Sequence, residues 1–318
     1  MIERSEQLVT VFGGDGFIGR YVCEHLFKRN VRLRIASRDT RDSYFLQPLA
    51  QVGQFGFAKA DITNMDAVRE AVKSATEVIN LVGTFARAMH HVHVDGARNV
   101  AEAAREAGAA ALVHISAIGA DPNSPSLYGR SKAEGEAAVR QAFPTATIIR
   151  PSIVFGPEDN FTNRFASMAR LPILPVIAAE RKFQPVYIRD LARAIGMAAL
   201  DPGKFAGETY EIAGPEVMSM IELHRAILAI TGQDPEVVPL PDMFGAALSW
   251  LGWLPGAPLT RDQWLMLQSD NVASEGNAGL DAFGIEPTPL AAVAYEWLDR
   301  YRPGGKFSGR RIHLTGTT

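Results

Sequence analysis

The stretch that most constrains this chain is Leu8–Gly19, LVTVFGGDGFIG. Leu8, Val9, Val11 and Phe12 form a short apolar run of the kind that becomes a fully buried strand. Gly13, Gly16 and Gly19 follow at the spacing G-x-x-G-x-x-G, and Phe17 opens an amphipathic helix expected to run to about Arg29. A strand, a tight glycine turn and a helix N-terminus together make an anion site. The first N–H groups of the helix point at the ligand, and the missing Cβ atoms let the backbone approach a pyrophosphate. Three glycines also punctuate ordinary turns, so the reading rests on the pattern of the segments beyond Gly19.

In those segments strands and helices alternate. Strands are expected at Arg32–Ser37, Phe55–Ala60, Glu77–Val82, Leu112–Ser116 and Ala146–Pro151, with helices at Met65–Lys73, Val94–Ala107 and Leu127–Ala142. Strands separated by helices pair in parallel through right-handed crossovers. Residues 1–156 are therefore expected to form an α/β unit, a Rossmann-type doubly wound parallel sheet binding its ligand at the carboxyl ends of the strands. Beyond Gly156 helices dominate, at Phe161–Leu171, Ile188–Leu200, Met220–Thr231, Phe244–Leu254, Arg261–Leu267 and Leu290–Tyr301, with short strands at Phe183–Tyr187 and Glu208–Ile212. Ser219 with Glu222 and Thr260 with Gln263 are capping boxes, and Thr288-Pro289 places a cap before a first-turn proline. The expectation is a smaller, mainly helical C-terminal lobe over residues 157–303 on the substrate or partner side. Residues from about 183 to 200 return to the first domain, and residues 304–318 form a loose tail.

Composition closes several function classes. A net charge of −3 over 318 residues leaves no basic footprint for nucleic acid. The single cysteine, Cys23, excludes an intramolecular disulfide and fits a reducing compartment. The charged start MIERSEQ leaves no room for a signal peptide, and no run reaches the roughly 18 apolar residues of a membrane span. A cytoplasmic chain without a transmembrane segment is expected. His90, His91 and His93 cluster, but no cysteine or paired carboxylate completes a ligand set, so no metal is expected. Residues Asp242–Leu254 place Phe244, Leu248, Trp250, Leu251 and Trp253 on one apolar face, read as core packing or as a partner or membrane-interface helix.

The end of the second strand reads Ala36-Ser37-Arg38. An acid near this point would hold the adenosine ribose; Ser37 and Arg38 suit a 2′-phosphate instead, with Asp39 one position later. NADP(H) is thereby favoured over NAD(H), the plainer alternative for Arg38 being a solvated loop charge. Asp61-Ile62 comes after the third strand, where Asp61 either hydrogen-bonds the adenine edge or caps the helix beginning near Asn64. Leu81-Val82-Gly83 ends the fourth strand with a small residue that admits the cofactor. Tyr128 and Lys132 stand four apart on one helix face. The ammonium is expected to lower the tyrosine pKa and make the phenol a general acid/base, while also holding the nicotinamide ribose.

These pieces together resemble the extended short-chain dehydrogenase/reductases. The matching stretches are GGDGFIG (Gly13–Gly19), Asp61-Ile62, VDGARNV (Val94–Val100), YGRSK (Tyr128–Lys132), RPSIVFGPED (Arg150–Asp159), QPVYIRDLA (Gln184–Ala192) and YEIAGPE (Tyr210–Glu216). The resemblance implies cofactor contacts by Gly13, Gly16, Phe17, Ile18, Gly19, Ser37, Arg38, Asp61, Ile62, Leu81, Val82, Gly83, Ser116, Tyr128, Lys132, Pro151, Ser152 and Ile153, with Tyr128, Lys132 and Ser116 as the catalytic set. Within the family the chain is most similar to the atypical branch around the NADPH-binding accessory subunit of respiratory complex I and its bacterial relatives, whose nucleotide is generally structural. That implies a complex I or other membrane-associated partner, peripheral to the inner face of the membrane. Three departures stand out: Ala117 where the usual Ser-Ser pair has its second serine, His93 where asparagine is common, and Asp15 where a small hydroxyl residue is frequent. Two function classes stay open: a nucleotide-holding protein tied to complex I or quinone metabolism, and an active oxidoreductase or epimerase/dehydratase on a small carbonyl, quinone or nucleotide sugar.

Overall fold

Alternation of inward-facing residues along the first strand sets the layers. A computed structural model describes residues 7–86, 88–250, 252 and 259–304; the tail after Gly304 and Leu251, Trp253 and Leu254 of the apolar helix lie outside these. The strands are β1 (Leu8–Phe12), β2 (Arg32–Ser37), β3 (Phe55–Lys59), β4 (Glu77–Asn80), β5 (Ala111–Ile115), β6 (Thr147–Pro151), β7 (Val154–Phe155), β8 (Ile173–Val176), β9 (Lys182–Phe183), β10 (Val186–Tyr187), β11 (Thr209–Ile212), β12 (Met218–Ser219) and β13 (Glu236–Pro239). The helices are α1 (Phe17–Phe27), α2 (Met65–Val72), α3 (Ala97–Glu106), α4 (Leu127–Ala142), α5 (Thr162–Met168), α6 (Ile188–Leu200), α7 (Pro202–Phe205), α8 (Met220–Thr231), α9 (Asp242–Trp250), α10 (Arg261–Met266), α11 (Leu290–Val293) and α12 (Tyr295–Leu298).

Seven parallel strands form the main sheet in the order β11-β6-β5-β4-β1-β2-β3. The order reverses between β1 and β4, the switch point at which such sheets take their ligands. Val9 and Val11 pack with Leu26 of α1 and Leu191 and Ile195 of α6 on one face. Phe12 packs with Val68, Val72 and Val100 of α2 and α3 on the other, where the Thr10 hydroxyl donates to the Ala71 carbonyl at 3.0 Å. The central strands β1, β4, β5 and β6 thus bury both faces, the physical reason that they read as near-continuous apolar runs, while edge strand β3 stays partly exposed. The chain has a Rossmann-type fold with a mainly helical C-terminal region.

Tertiary context redraws several expected elements. The strand expected at Phe183–Tyr187 is two: β9 pairs antiparallel with β12, and β10 parallel with β7. Pro185, without an N–H, separates them, and its carbonyl is approached so closely by Gly214 that a Cβ there would overlap it. β11 enters the main sheet as its seventh strand beside β6, and α6 packs against α1. The helix expected over Leu290–Tyr301 breaks into α11, α12 and a 3-10 turn at Asp299–Tyr301. Pro289, not Thr288, takes the N-cap position there, and the Thr288 N–H donates instead to Asp190 Oδ2 at 2.8 Å. Both expected capping boxes are formed.

A buried ion-pair group seals one end of the sheet. Arg150 on β6 donates to both carboxylate oxygens of Glu136 on α4 at 2.8 and 2.7 Å, and its Nη1 lies 3.5 Å from Glu211 on β11. The turn before α3 winds as a π-helix over His91–Gly96. It presses the His93 carbonyl onto α4 so closely that a Cβ on Gly135 would overlap the oxygen. Gly135→Ala should destabilise the fold by about 1–3 kcal/mol through this backbone contact. Gly56→Ala on edge strand β3, which meets only the Leu33 carbonyl at 3.9 Å, should stay within about 0.5 kcal/mol. Urea unfolding of the two variants checks the difference.

Candidate functional site

The glycine turn sits at the switch point because its backbone leaves no alternative. Gly13 has φ of 74°, a left-handed conformation that favours glycine. Its N–H donates to the Ala36 carbonyl at 3.1 Å, tying the turn to the end of β2. A Cβ on Gly19 would overlap the Gly13 carbonyl oxygen and the Gly14 Cα, so α1 can dock on the turn only with glycine there. α1 begins at N-cap Gly16 without a side-chain cap, leaving its first N–H groups directed at the carboxyl edge of the sheet. Donors in that arrangement suit a pyrophosphate.

Around the turn lie the ends of the neighbouring strands. A Cβ on Gly13 would stand 3.3 Å from Val82 Cγ2, and one on Gly83 would stand 3.5 Å from Lys132 Nζ and 3.7 Å from His93 Nε2. Leu81-Val82-Gly83 therefore runs from the glycine turn to the Tyr128 helix. The Ser37 hydroxyl donates to the Asp39 carbonyl at 2.8 Å, and Arg38 is exposed. Asp61 Oδ1 accepts from the N–H and hydroxyl of Thr63 at 2.9 and 2.7 Å, while the α2 cap is Asn64. Those donors, with Arg38 further off, hold the Asp61 carboxyl below the usual range. Ile62 is buried beneath Gly96, with its carbonyl accepting from Asn99 at 2.9 Å. Phe17 reaches toward Gly156, and Ile18 is partly buried against the α1/α6 side of the core. After β6, the Pro151 carbonyl accepts from Ile118 at 3.0 Å, and the Ser152 hydroxyl and Ile153 N–H both donate to Asn271 Oδ1 at 2.7 and 2.9 Å.

The Tyr128–Lys132 pair lies on α4 as its spacing predicts, yet its electrostatics differ from the sequence expectation. Lys132 Nζ donates to the Ile115 carbonyl at 3.0 Å and stands 5.9 Å from the centroid of the Tyr128 ring. Burial pushes the phenol up to about 12 and the lysine down to about 8. Desolvation thus outweighs the expected cationic lowering of the phenol. Phe85 stacks on the Tyr128 ring at 4.6 Å and 15°, and His93 meets it edge-on at 5.5 Å. His93 Nε2 accepts from the Thr84 N–H at 3.1 Å, which assigns the proton to Nδ1, facing the Ser131 hydroxyl at 2.9 Å. Burial first, then the Lys132 charge, drives its pKa to about 3, so it is a neutral spacer at ordinary pH.

Two polar atoms near the lysine have no hydrogen-bond partner among the described residues. Ser116 Oγ and His114 Nε2 are buried without a hydrogen bond, and the Asn80 amide occupies the other His114 nitrogen at 3.3 Å. Buried orphan polar atoms are unusual and mark a place for a ligand or water. With the remaining Lys132 protons they form a donor set of the kind that suits ribose hydroxyls and a carbonyl oxygen. Ala117 adds no donor. Asp262 from α10 escapes a reading of the sequence: its carboxylate accepts from the N–H groups of Leu127 and Tyr128 at 2.6 and 3.1 Å. Phe85 and Asn271 are missed likewise, since each lies far from its partner along the chain and in no motif. His90 pairs with Glu134 and His91 with Asp95, and no cluster able to hold a metal occurs among the described residues.

Comparison with known proteins locates this geometry. The NAD dependent epimerase/dehydratase family matches residues 9–213. Subunit 9 of the NADH dehydrogenase [ubiquinone] 1 alpha subcomplex from mouse mitochondria is 36% identical over 307 residues, spanning 93% of this chain and 80% of that protein. A ceramide reductase of Caulobacter vibrioides is 31% identical over 74% of each chain. The fold is that of an NADPH-dependent quinone oxidoreductase from Escherichia coli crystallised with NADPH, at a TM-score of 0.75 and 19% identity over 91% of this chain and 99% of that one.

The lysine makes stability depend on pH in a defined sense. Its native pKa of about 8 lies below the ordinary 10.5, so between these values the unfolded chain binds the extra proton and the lysine's contribution to stability rises with pH, against the buried Cys23 thiol, whose raised pKa acts in the opposite sense. Lys132→Met should remove the lysine's rise, so the stability difference between wild type and variant should change with pH. Urea unfolding of the two proteins at steps from pH 8 to 10 measures it.

Proposed function

The chain belongs to the NAD-dependent epimerase/dehydratase family as an extended short-chain dehydrogenase/reductase, and on that premise we propose that it holds NADP(H) as a structural ligand in connection with respiratory complex I or quinone metabolism. The pyrophosphate lies on the N-terminus of α1 across Gly13, Gly16 and Gly19. Arg38 and Ser37 meet the adenosine 2′-phosphate, Asp61 the adenine edge, and Lys132 the nicotinamide ribose. Residues 1–156 with the returning segments near 183–200 form the nucleotide unit, and the lobe over 157–303 faces a partner peripheral to the inner face of a membrane. No helix among the described residues is long and apolar enough to cross one.

The observation that carries a structural over a catalytic role is the state of the phenol. Tyr128 is covered by Phe85, its pKa is raised to about 12, and its lysine is turned to the Ile115 carbonyl. A general acid/base works best with a pKa near the operating pH, and the position that would supply a second hydroxyl is Ala117. The similarity to a complex I subunit over nearly the whole chain supports the same choice. The second reading, an NADP-dependent oxidoreductase or epimerase/dehydratase, is favoured by the partnerless Ser116 hydroxyl, placed to meet a carbonyl oxygen. In that reading Tyr128 donates the proton.

Saturating NADPH should raise the unfolding temperature, because a ligand that binds only the folded state stabilises it by mass action. Tyr128→Phe should keep that shift and leave association with complex I subunits in the native membrane fraction unchanged; Lys132→Ala should reduce the shift. Turnover of carbonyl, quinone or nucleotide-sugar substrates that falls about 10²–10⁴-fold in Tyr128→Phe would establish the catalytic reading instead.

A further inference from the structure

We propose that Asp15 limits how strongly this site distinguishes NADP(H) from NAD(H): its carboxylate opposes an adenosine 2′-phosphate and accepts a hydrogen bond from a free ribose 2′-hydroxyl. This role rests on the nucleotide-holding function proposed for the chain and concerns the adenosine end of that site. The glycine turn is pinned to β2 by the Gly13 N–H bond to the Ala36 carbonyl at 3.1 Å. Gly14 sits so close to β2 that a Cβ there would be 3.0 Å from Ile35 Cγ2. The next residue, Asp15, is thereby delivered half-buried to the end of β2, within reach of the Ser37 hydroxyl and the charge of Arg38.

The charges that face this corner come from four segments. The glycine turn contributes Asp15, the end of β2 Arg38 and Asp39, the adjoining 3-10 turn Arg41 and Asp42, and the end of β3 with the loop after it Lys59 and Asp61, Lys59 lying across from Ser37 and acting on Asp39. Arg41 is consumed by Asp39, which it grips through Nε and Nη2 at 3.0 and 2.5 Å. Arg38 has no ion-pair partner within 4.0 Å among the described residues, and its field is shared by Asp15 and Asp61. The Ser37 hydroxyl proton is committed to the Asp39 carbonyl at 2.8 Å. A 2′-phosphate entering here meets one uncommitted guanidinium and a facing carboxylate. A 2′-hydroxyl meets in Asp15 the acceptor that an acid at the end of β2 supplies in NAD-binding folds of this kind. Desolvation raises the Asp15 pKa most, with the nearby Asp42 adding to it, while the residue's own N–H, the Arg38 charge and the Ser37 hydroxyl pull the other way.

The test compares NADPH and NADH binding by fluorescence titration at low salt for the wild type, Asp15→Asn and Asp15→Ser, with apo unfolding temperatures measured alongside. The ratio of the two affinities cancels general damage to the fold. Removing one unit charge that faces a phosphate in a half-exposed site should raise the NADPH/NADH affinity ratio on the order of tenfold in both variants. The gain should shrink at high salt. Arg38→Ala should move the ratio the opposite way. Should Asp15→Asn unfold, Asp15→Ser alone decides. An unchanged ratio with both nucleotides still bound overturns the role of Asp15 and leaves the nucleotide site standing. Failure of the wild type to bind either nucleotide overturns the site itself, and this proposal with it.

Discussion

The contact on which the rest depends is the docking of α1 onto the turn that precedes it. Gly19 rests against the Gly13 carbonyl with no room for a single added carbon. That contact aims the unsatisfied N–H groups of α1 across the sheet, and the Gly13 bond to Ala36 brings β2 to the same corner. From there Leu81-Val82-Gly83 leads to Lys132. One close backbone approach thus fixes the N-terminus of α1 relative to both the end of β2 and the Tyr128 helix.

The second half of the site is governed by desolvation. Four groups around the Tyr128 helix, Tyr128, Lys132, His93 and His114, all shift toward their neutral forms, and for each burial is the leading cause. At neutral pH the tyrosine and both histidines are uncharged, while Lys132, at about 8, still carries most of its proton. The C-terminal region takes part through Asp262, which supplies the acceptor for the first two N–H groups of α4.

Legibility from the sequence tracked the range of the interactions involved. β1, β2, α4, α6 and α8 occupy the expected residues because each is specified locally, by an apolar run, a cap or a helical stripe. The Tyr128–Lys132 face was legible for the same reason. What escaped depends on distant partners: Asp262 reaches α4 from over a hundred residues away, Asn271 holds the end of β6, and Phe85 covers Tyr128 from an irregular loop. The expected lowering of the Tyr128 pKa failed because spacing reports that two side chains share a face but not how dry that face is. One strand was expected across Pro185, and the close approach of Gly214 to its carbonyl accompanies the two short pairings that replace it.

The late arrival of β11 has a consequence for synthesis. β6 ends at Pro151, and its outer neighbour begins at Thr209; until then β6 is the rim of an unfinished sheet, with a row of unpaired backbone groups that could template aggregation. Arg150 stands on that rim, already gripped by Glu136 of α4 and awaiting Glu211. An ion pair held on a temporary edge opposes stacking by another nascent chain, since capture would strip water from its two charges. When Thr209–Ile212 emerges, Glu211 supplies the second carboxylate and the guard becomes a clasp.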